Sequence, residues 1–591
     1  MSQPPREDGL GQLRRLWPYA RPEAPYFAYA LIATPLIAAL SLAQPFLLKR
    51  AIDQHIAPGI AEGLLGVVLL YMAAVVGSYL LEASYTMAIA VGGQRVMVRL
   101  RAALYHHTIG LAQRFFDNRP AGMLLTRLTS DIDALGEALG AGAVTIVLDL
   151  LMIVGTLGAM FWLEPRLTVA LVLLAPPLLL VLEYLRRKMR VLYLEIREVQ
   201  SSLNAFLAER IDGVEVLQLY NHEEESRREF DVHNRAFRDA NTLSNIYESL
   251  TFSVVDGFAS VCVAAMLWYG SGLGARLGLD IPTDTVTPGL LVAFIDYIDR
   301  LFRPLRDASG KIAILQRASA ALVKIFGLLS ADERLPDGDH ALVNPTGNVV
   351  LRDVRFRYKE GGDEILRGVN LEIRPGEVVA LVGASGSGKT TVTRLLDRSY
   401  GGYEGSITLD GVELSRIRLA DLRRHVAAVR QDIQLFSDTV GFNVDLGDPR
   451  ITVQAREEAA RLVNADTCIQ RVGWDHVLRE RGADVSVGEG QLLTFARTMA
   501  HDPTVIILDE ATASVDSVTE HLIEDAISRI FERKTVLVIA HRLSTVQRAD
   551  RIAVMARGVI AELGTHDELM ALGGRYAALV EAGGEVLGAS A

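Results

Sequence analysis

The sequence predicts an α-helical domain of six apolar spans followed by an α/β domain built on a largely parallel sheet. Three observations carry that expectation. Six segments in the first 305 residues are apolar enough, and long enough as helices, to cross about 30 Å of hydrocarbon. From Val349 onward, short β-branched runs alternate with amphipathic helical stretches, the pattern of a parallel α/β sheet. Between the two regions, Ser330 to Asp339 is polar and turn-rich, as a linker is. The expected organisation is therefore a membrane domain over 1–329, a linker over 330–347 and an α/β domain over 348–591. At 591 residues the chain also exceeds what one hydrophobic core usually supports.

Composition agrees with a membrane protein. Half of the residues are hydrophobic, and the mean hydropathy is +0.24. The net charge of −11 argues against a nucleic-acid partner, because binding a phosphate backbone needs clustered Lys and Arg. Only two cysteines occur, Cys262 and Cys468, so neither a disulfide framework nor a Cys-based metal cluster is expected. Met1 to Asp8 is polar with no apolar run beside it, so no cleaved secretory signal is expected.

Taken in order, Gly11 to Arg21 mixes cations with Trp17 and Tyr19 and reads either as an interfacial helix or as a plain linker. The six spans follow at about 25–48, 62–91, 139–163, 167–185, 250–273 and 286–305, with a kink expected at Pro176-Pro177. Two long connections, 92–138 and 186–249, carry most of the loop arginines, among them Arg95, Arg99, Arg101, Arg186, Arg187 and Arg190. The positive-inside rule places both in the cytoplasm. Few Gly or Pro interrupt them, so they read as helical continuations of the spans. In the first, Phe115 to Gly122 followed by Leu128 to Asp133 breaks and restarts the helix, either as a docking knob or as a solvated turn. Glu209 to Gly213 and Tyr220-Asn221 invite the same reading in the second. Four acids lie within apolar segments: Glu82, Asp149, Asp256 and Asp296. An ionised side chain at mid-membrane costs about 2.5–3.5 kcal/mol. These acids therefore pair between helices, lie nearer the interface than the span bounds suggest, or contact substrate.

The chemistry lies in the second half. Residues Gly383 to Thr391 read G-A-S-G-S-G-K-T-T and follow the apolar strand Val378 to Val382. Gly383, Gly386 and Gly388 let the backbone curl around phosphate oxygens, with Ser385 on the same loop, and the helix starting near Lys389 points its positive end at the same place. Lys389 would neutralise the β- and γ-phosphates, and the Thr390 hydroxyl, with Thr391 beside it, would face Mg²⁺. A second apolar strand, Val505 to Leu508, ends in Asp509, suited to hold Mg²⁺, and Glu510, suited to orient an attacking water. A third, Val536 to Ala540, delivers His541 toward the γ-phosphate. The set spells a nucleoside triphosphate hydrolase using ATP and Mg²⁺.

Residues 484–491, D-V-S-V-G-E-G-Q, resemble the signature of ATP-binding cassette (ABC) proteins, and the six spans ahead of the cassette resemble an exporter half-transporter of the multidrug or lipid type. The resemblance implies the type I (type IV) exporter membrane fold joined to a P-loop nucleotide-binding domain. It implies that Tyr358 stacks on adenine and that Gln431 links Mg²⁺ to the membrane domain. It places the cross-linking loop at Glu480-Arg481-Gly482, the D-loop at Ser514-Val515-Asp516 and the first coupling helix within Asp117 to Asp133. It also implies a dimer in which Ser486 and Gly488 of one chain close the ATP on the other. Where the family reads L-S-G-G-Q, this chain reads Val485-Ser486-Val487-Gly488-Glu489, and the acid is expected to weaken phosphate contact. With Glu510 and His541 intact, the favoured partner is a second, different half-transporter chain, a homodimer being the other arrangement.

The function implied is ATP-driven export of an amphipathic drug, lipid or peptide by alternating access. The protein would sit in a bacterial inner membrane with its cassette in the cytoplasm. The alternative is a membrane ATPase that regulates a channel or partner without transport. A soluble cassette protein is excluded by the spans, and an importer is disfavoured because its spans usually form a separate chain.

Overall fold

The computed structural model describes residues 9–270, 287–359, 361–509, 517–540 and 542–581. The chain divides into two compact units, one of residues 1–109 and 121–331 and one of residues 110–120 and 332–591.

The first unit is helical. Its long helices are α1 (Ala24–Ala51), α2 (Leu64–Ile109), α3 (Ala143–Leu163), α4 (Ala175–Asp212), α5 (Glu223–Gly270) and α6 (Pro288–Leu329). Among the described residues, six helical stretches have the length and hydropathy to cross a membrane: Arg14–Ile56, Leu64–Ile109, Ala121–Leu163, Pro165–Asp212, Glu223–Trp268 and Gly310–Leu329. The first five overlap the predicted segments. The sixth lies beyond the predicted 286–305, although α6 spans both regions. The start of α6 carries Asp296, Asp299, Arg300, Arg303, Arg306 and Asp307, which dilute its apolar character. That start is nonetheless core, because Leu290, Phe294, Tyr297 and Phe302 are buried with Met160 and Leu167.

At the kink expected at Pro176-Pro177 the helix is interrupted for one residue, Leu174, whose backbone stays in the αR region. A short helix ends at Leu173, and α4 begins with both prolines in its first turn, where a backbone N–H has no helical partner to lose. Beyond that point α4 and α5 run unbroken for 38 and 48 residues, so the second long connection is helical as predicted. At about 1.5 Å per residue, α5 is about 70 Å long, more than twice the hydrocarbon thickness.

Three of the four acids in apolar segments have cationic partners on α6. Asp149 pairs with Lys311, Asp256 with Arg306 at 2.5 Å, and Asp296 with Arg300 at 3.1 Å. Arg300 also donates to the Gln44 side chain on α1, and Gln44 donates to Ser78 on α2. Interhelical pairing is therefore one use of these acids, and it removes much of the cost of burying them singly.

The second unit is α/β. Strands β1 (Val349–Phe356), β2 (Leu366–Ile373), β4 (Glu404–Leu409) and β5 (Val412–Glu413) form an antiparallel sheet in the order β2-β1-β4-β5. The central sheet has the order β10-β9-β3-β8-β7-β6, from β3 (Val378–Val382), β6 (Val426–Val429), β7 (Val505–Asp509), β8 (Thr535–Ile539), β9 (Arg551–Ala556) and β10 (Val559–Gly564). Its pairings are parallel except β9 with β10. Strands β3 and β8 are buried at every position, which is why they read as continuous apolar runs. The antiparallel sheet was not anticipated. Its strands alternate buried and exposed residues, and nothing in that alternation reveals which strand pairs with which.

Two boundaries differ from the sequence reading. Residues 110–120 pack with 332–591 rather than with 1–329: Ala112 N–H donates to Glu333 O, Arg119 pairs with Glu333 at 3.0 Å, and Phe115 is buried. The stretch 330–347 is also not a bare tether, because Arg398 donates to Pro336 O, Asp337 accepts from Leu419 N–H, and Leu342 is buried.

Candidate nucleotide site

The phosphate loop leaves β3 at Gly383 and enters helix α7 (Lys389–Leu396). Gly383 has φ 147°, and a Cβ there would lie 2.2 Å from Met555 O, so no other residue fits the loop's start. Gly388, the N-cap of α7, has φ 108° for the same kind of reason. Ser385 and Gly386 are exposed at the crest of the loop. Lys389 is buried at 8% exposure, with Nζ donating to Gly383 O at 2.6 Å and Ala384 O at 3.1 Å. Burial lowers its ammonium pKa, and the Asp509 carboxylate opposes that shift. The loop carbonyls thus hold the cation beside the glycine turn.

Thr390 and Asp509 line one small cavity of about 20 Å³ with Thr393, Arg394, Asp397 and Arg430. Asp509 reaches it because β7 ends there, one strand from β3, with β8 between them. A hydroxyl and a carboxylate lining one cavity are oxygen donors of the kind that suits a hard cation such as Mg²⁺. Gln431, also expected at the metal, is exposed just beyond β6 and is not among the residues lining that cavity. Glu510, Ser514 to Asp516 and His541 lie outside the described residues. The described parts of their strands, β7 to Asp509 and β8 to Ile539, run side by side and pair at those two residues.

Tyr358 follows β1, its hydroxyl 3.0 Å from Thr391 Oγ1 on α7. Its ring stands edge-on to Phe356 at 5.1 Å and to Tyr400 at 5.0 Å. An aromatic therefore borders the phosphate helix, where a base could stack.

The signature lies at the head of helix α8 (Val487–Ala500), which Ser486 caps. Ser486 Oγ accepts from Glu489 N–H at 3.2 Å, and Glu489 Oε2 accepts from Ser486 N–H at 2.8 Å, a closed capping box. Arg471 Nη2 also donates to both Glu489 oxygens, at 2.8 and 2.9 Å. Burial would raise the Glu489 pKa, but the Ser486 N–H and Arg471 outweigh it and hold the carboxyl below the ordinary glutamate value. The acid expected to weaken phosphate contact therefore has both of its oxygens engaged within its own chain. The pattern S-x-x-E was legible in the sequence as a capping box, whereas Arg471, 18 residues upstream, was not. Gly488 is buried, and Val487 is 61% exposed. Glu480–Gly482 forms a single 3₁₀ turn with Arg481 at φ 56°.

Of the segment expected to hold the first coupling helix, Asp117 to Asp133, residues 117–120 belong to this unit, and Asp117 ends the short helix Gln113–Asp117. Asp117 accepts from Tyr400 and pairs with Arg394 at 3.3 Å. Asp131 and Asp133 belong to the other unit, where they pair with Lys324 and Arg101.

Residues 27–305 match the ABC transporter transmembrane region, and residues 366–513 match the ABC transporter domain. The chain is 33% identical, over 90% of its length and 79% of the relative's, to the probable multidrug resistance ABC transporter ATP-binding/permease protein YheH of Bacillus subtilis. It is 32% identical to the ATP-dependent lipid A-core flippase of Chromohalobacter salexigens, covering 96% of this chain and 97% of that one. The solved structure of a bacterial Atm1-family ABC exporter with ATP bound superposes with a TM-score of 0.73 and 25% identity, over 94% of this chain and 97% of the other. These likenesses run through the membrane half as well as the ATPase half, which sets the protein in the inner membrane with its nucleotide-binding domain in the cytoplasm. The chain belongs to the ABC transporter family, as an exporter that binds and hydrolyses ATP to drive transport.

Proposed function

We propose that this exporter moves an amphipathic molecule, a lipid or a lipid-like drug, out of the inner leaflet, working as a pair of half-transporter chains. The support for the substrate class is the pair of relatives, one named for multidrug resistance and one for a lipid A-core, matched over most of their lengths. Support for a second chain comes from what this one leaves uncovered. Val487 at the signature is exposed, and at the turn between α4 and α5 so are Ile211, Val214, Leu219 and Tyr220. Apolar side chains clustered at a cytoplasmic tip are what a partner surface covers.

In this reading Tyr358 stacks on the adenine of ATP, and the loop Gly383 to Thr391 holds its phosphates through backbone N–H groups and Lys389. Thr390 and Asp509, with Gln431 from beyond β6, would hold Mg²⁺, which would neutralise phosphate charge. Glu510 orients the attacking water, His541 senses the γ-phosphate, and Asp516 lies at the junction with the second cassette. Ser486 and Gly488 close the ATP held by that second chain. The single observation carrying the proposal is that one chain joins six spans to a phosphate loop whose lysine is held on its glycine turn and whose Thr390 shares a cavity with Asp509. We further propose that the second chain differs from this one, a reading that rests on Val487 now that Glu489 is neutralised.

Reconstitution in lipid vesicles tests the function: ATP-dependent movement of a fluorescent lipid or a lipophilic cation is expected, lost in Lys389→Ala. ATP hydrolysis without movement of either would favour a regulatory ATPase instead. Mass analysis of chains co-purifying from membranes tests the partner.

A further inference from the structure

The capping box at the head of α8 contains a conflict. An acid at the third helical position stabilises the helix, because it meets the backbone N–H groups and the positive end of the dipole. The neighbouring first-turn N–H groups and the same dipole end are what a terminal phosphate would use. A bare Glu489 would therefore compete with phosphate for the site it helps to build.

The structure resolves this conflict with a third residue. Arg471 comes from the separate helix Asp466–Val472 and places one nitrogen between the two Glu489 oxygens, at 2.8 and 2.9 Å. The carboxylate is the more sheltered partner, with its side chain 21% exposed against 54% for Arg471. One Glu489 oxygen is additionally fixed on Ser486 N–H. The Ser486 oxygen accepts from Glu489 N–H, which leaves the hydroxyl hydrogen available to donate.

We propose that Arg471 is a positioning residue for the signature: it neutralises Glu489 and holds that carboxylate on the cap, so that Ser486 and the first-turn N–H groups of Val487 and Gly488 face the terminal phosphate of the second chain's ATP without a competing charge. This inference rests on the shared-site reading above. It makes the acid of this altered signature one half of a built pair, and it makes the rescue of one substitution by another the deciding observation.

The experiment uses the full transporter in lipid nanodiscs and reads, from radiolabelled ATP held per complex at low and high salt, the Kd for ATP at the site that this signature closes. Four forms are compared with the unaltered protein: Ser486→Ala, Arg471→Ala, Glu489→Gln, and the double variant Arg471→Ala with Glu489→Gln. Arg471→Ala is expected to raise that Kd by about two- to fivefold, the size of a partly exposed charge pair. The rise is expected to shrink at high salt, because screening acts on the uncovered Glu489, and the double variant is expected to return Kd to the starting value. A purely structural role for Arg471 would leave the double variant as impaired as the single one, which overturns the proposal. So does an unchanged Kd in Arg471→Ala when Ser486→Ala raises it. If Ser486→Ala leaves Kd unchanged, the shared-site reading itself fails and takes the proposal with it.

Discussion

The hydroxyl of Tyr400 donates to the carboxylate of Asp117 at 2.5 Å, joining residues 283 positions apart in sequence. Arg394 adds a contact to the same oxygen at 3.3 Å. Arg394 lies four residues after Thr390 on α7, so the helix that begins at the phosphate loop also holds the segment 113–117. On its other side the Tyr400 ring meets Tyr358 edge-on. Nucleotide-facing and segment-holding groups therefore share one short helix and one aromatic cluster.

Tyr400→Phe keeps the ring packing and removes only the donor. A hydrogen bond to a charged group is worth about 1.5–3 kcal/mol. Hydrogen exchange across 113–117 is expected to speed up, and substrate stimulation of the ATPase is expected to weaken while basal hydrolysis persists. Exchange rates identical to those of the unaltered protein would show that the bond does not secure the segment.

The charge on Asp117 sets a pH dependence. Burial would raise its pKa, but hydrogen bonds from Tyr400 and Gln113 and the charges of Arg394 and Arg430 outweigh it and leave the carboxyl below the ordinary aspartate value. For a depressed acid, the stabilisation is full above the unfolded pKa, about 3.9, and is lost as pH falls through the lower folded value. Protection of 113–117 is therefore expected to stay level across the neutral and mildly acidic range and to fall only below about pH 4. Loss of protection already between pH 7 and 5 would assign the titration to another group.

Lys389→Ala is expected to weaken ATP binding itself, because the buried ammonium is the cation nearest the glycine turn. Loss of charge-assisted contacts of about 1.5–3 kcal/mol corresponds to about ten- to a hundredfold in Kd. Titration with a fluorescent ATP analogue measures this directly, and an unchanged Kd would place the triphosphate elsewhere.

Glu510→Gln separates binding from turnover. It removes the candidate base one residue beyond Asp509 but leaves the phosphate loop and the Thr390–Asp509 pair in place. Hydrolysis is expected to fall by about 10²- to 10⁴-fold with ATP affinity retained. Near-normal turnover in the assembled transporter would exclude Glu510 as the base.

What the sequence disclosed, and what it did not, follows from the range of the interactions. Strands β3, β7 and β8 were legible because full burial makes each a continuous apolar run, and the phosphate loop was legible because its glycines sit at fixed offsets from Lys389. The interruption before α4 was legible because Pro176-Pro177 lack the backbone N–H groups that a continuous helix needs there. The start of α6 was read as a span, but the partners of its charges were not legible along the chain. In space Arg300 and Arg306 meet acids and amides from other helices. Tyr400 with Asp117 and Arg471 with Glu489 were invisible for the same reason, since a long-range pair of common residues has no local signature. The weight first placed on Glu489 shows the cost of judging a charge without its partner.

The last prediction concerns Val487. It opens α8 with 61% of its surface exposed, where the family signature carries glycine. Its isopropyl group adds bulk beside the first-turn N–H groups that a phosphate would approach, and no cation can offset bulk as Arg471 offsets the charge of Glu489. If this chain pairs with a different one, the altered signature closes only the partner's ATP, while an unaltered signature closes the ATP held by Lys389, Asp509 and Glu510. One site is then expected to turn over and the other mainly to retain nucleotide. Val487→Gly, at a cost of about 1 kcal/mol or less in helix propensity, is expected to reduce the retained ATP and to leave the hydrolysing site unchanged. If the chain pairs with itself, every site is closed by Val487, and the same substitution is expected to raise turnover throughout. Counting radiolabelled ATP held per complex after hydrolysis has stopped, with and without Val487→Gly, distinguishes the two. Brisk and equal hydrolysis at both sites of a purified self-pair, indifferent to Val487→Gly, would show that the side chain is merely tolerated and would end the case for unequal sites.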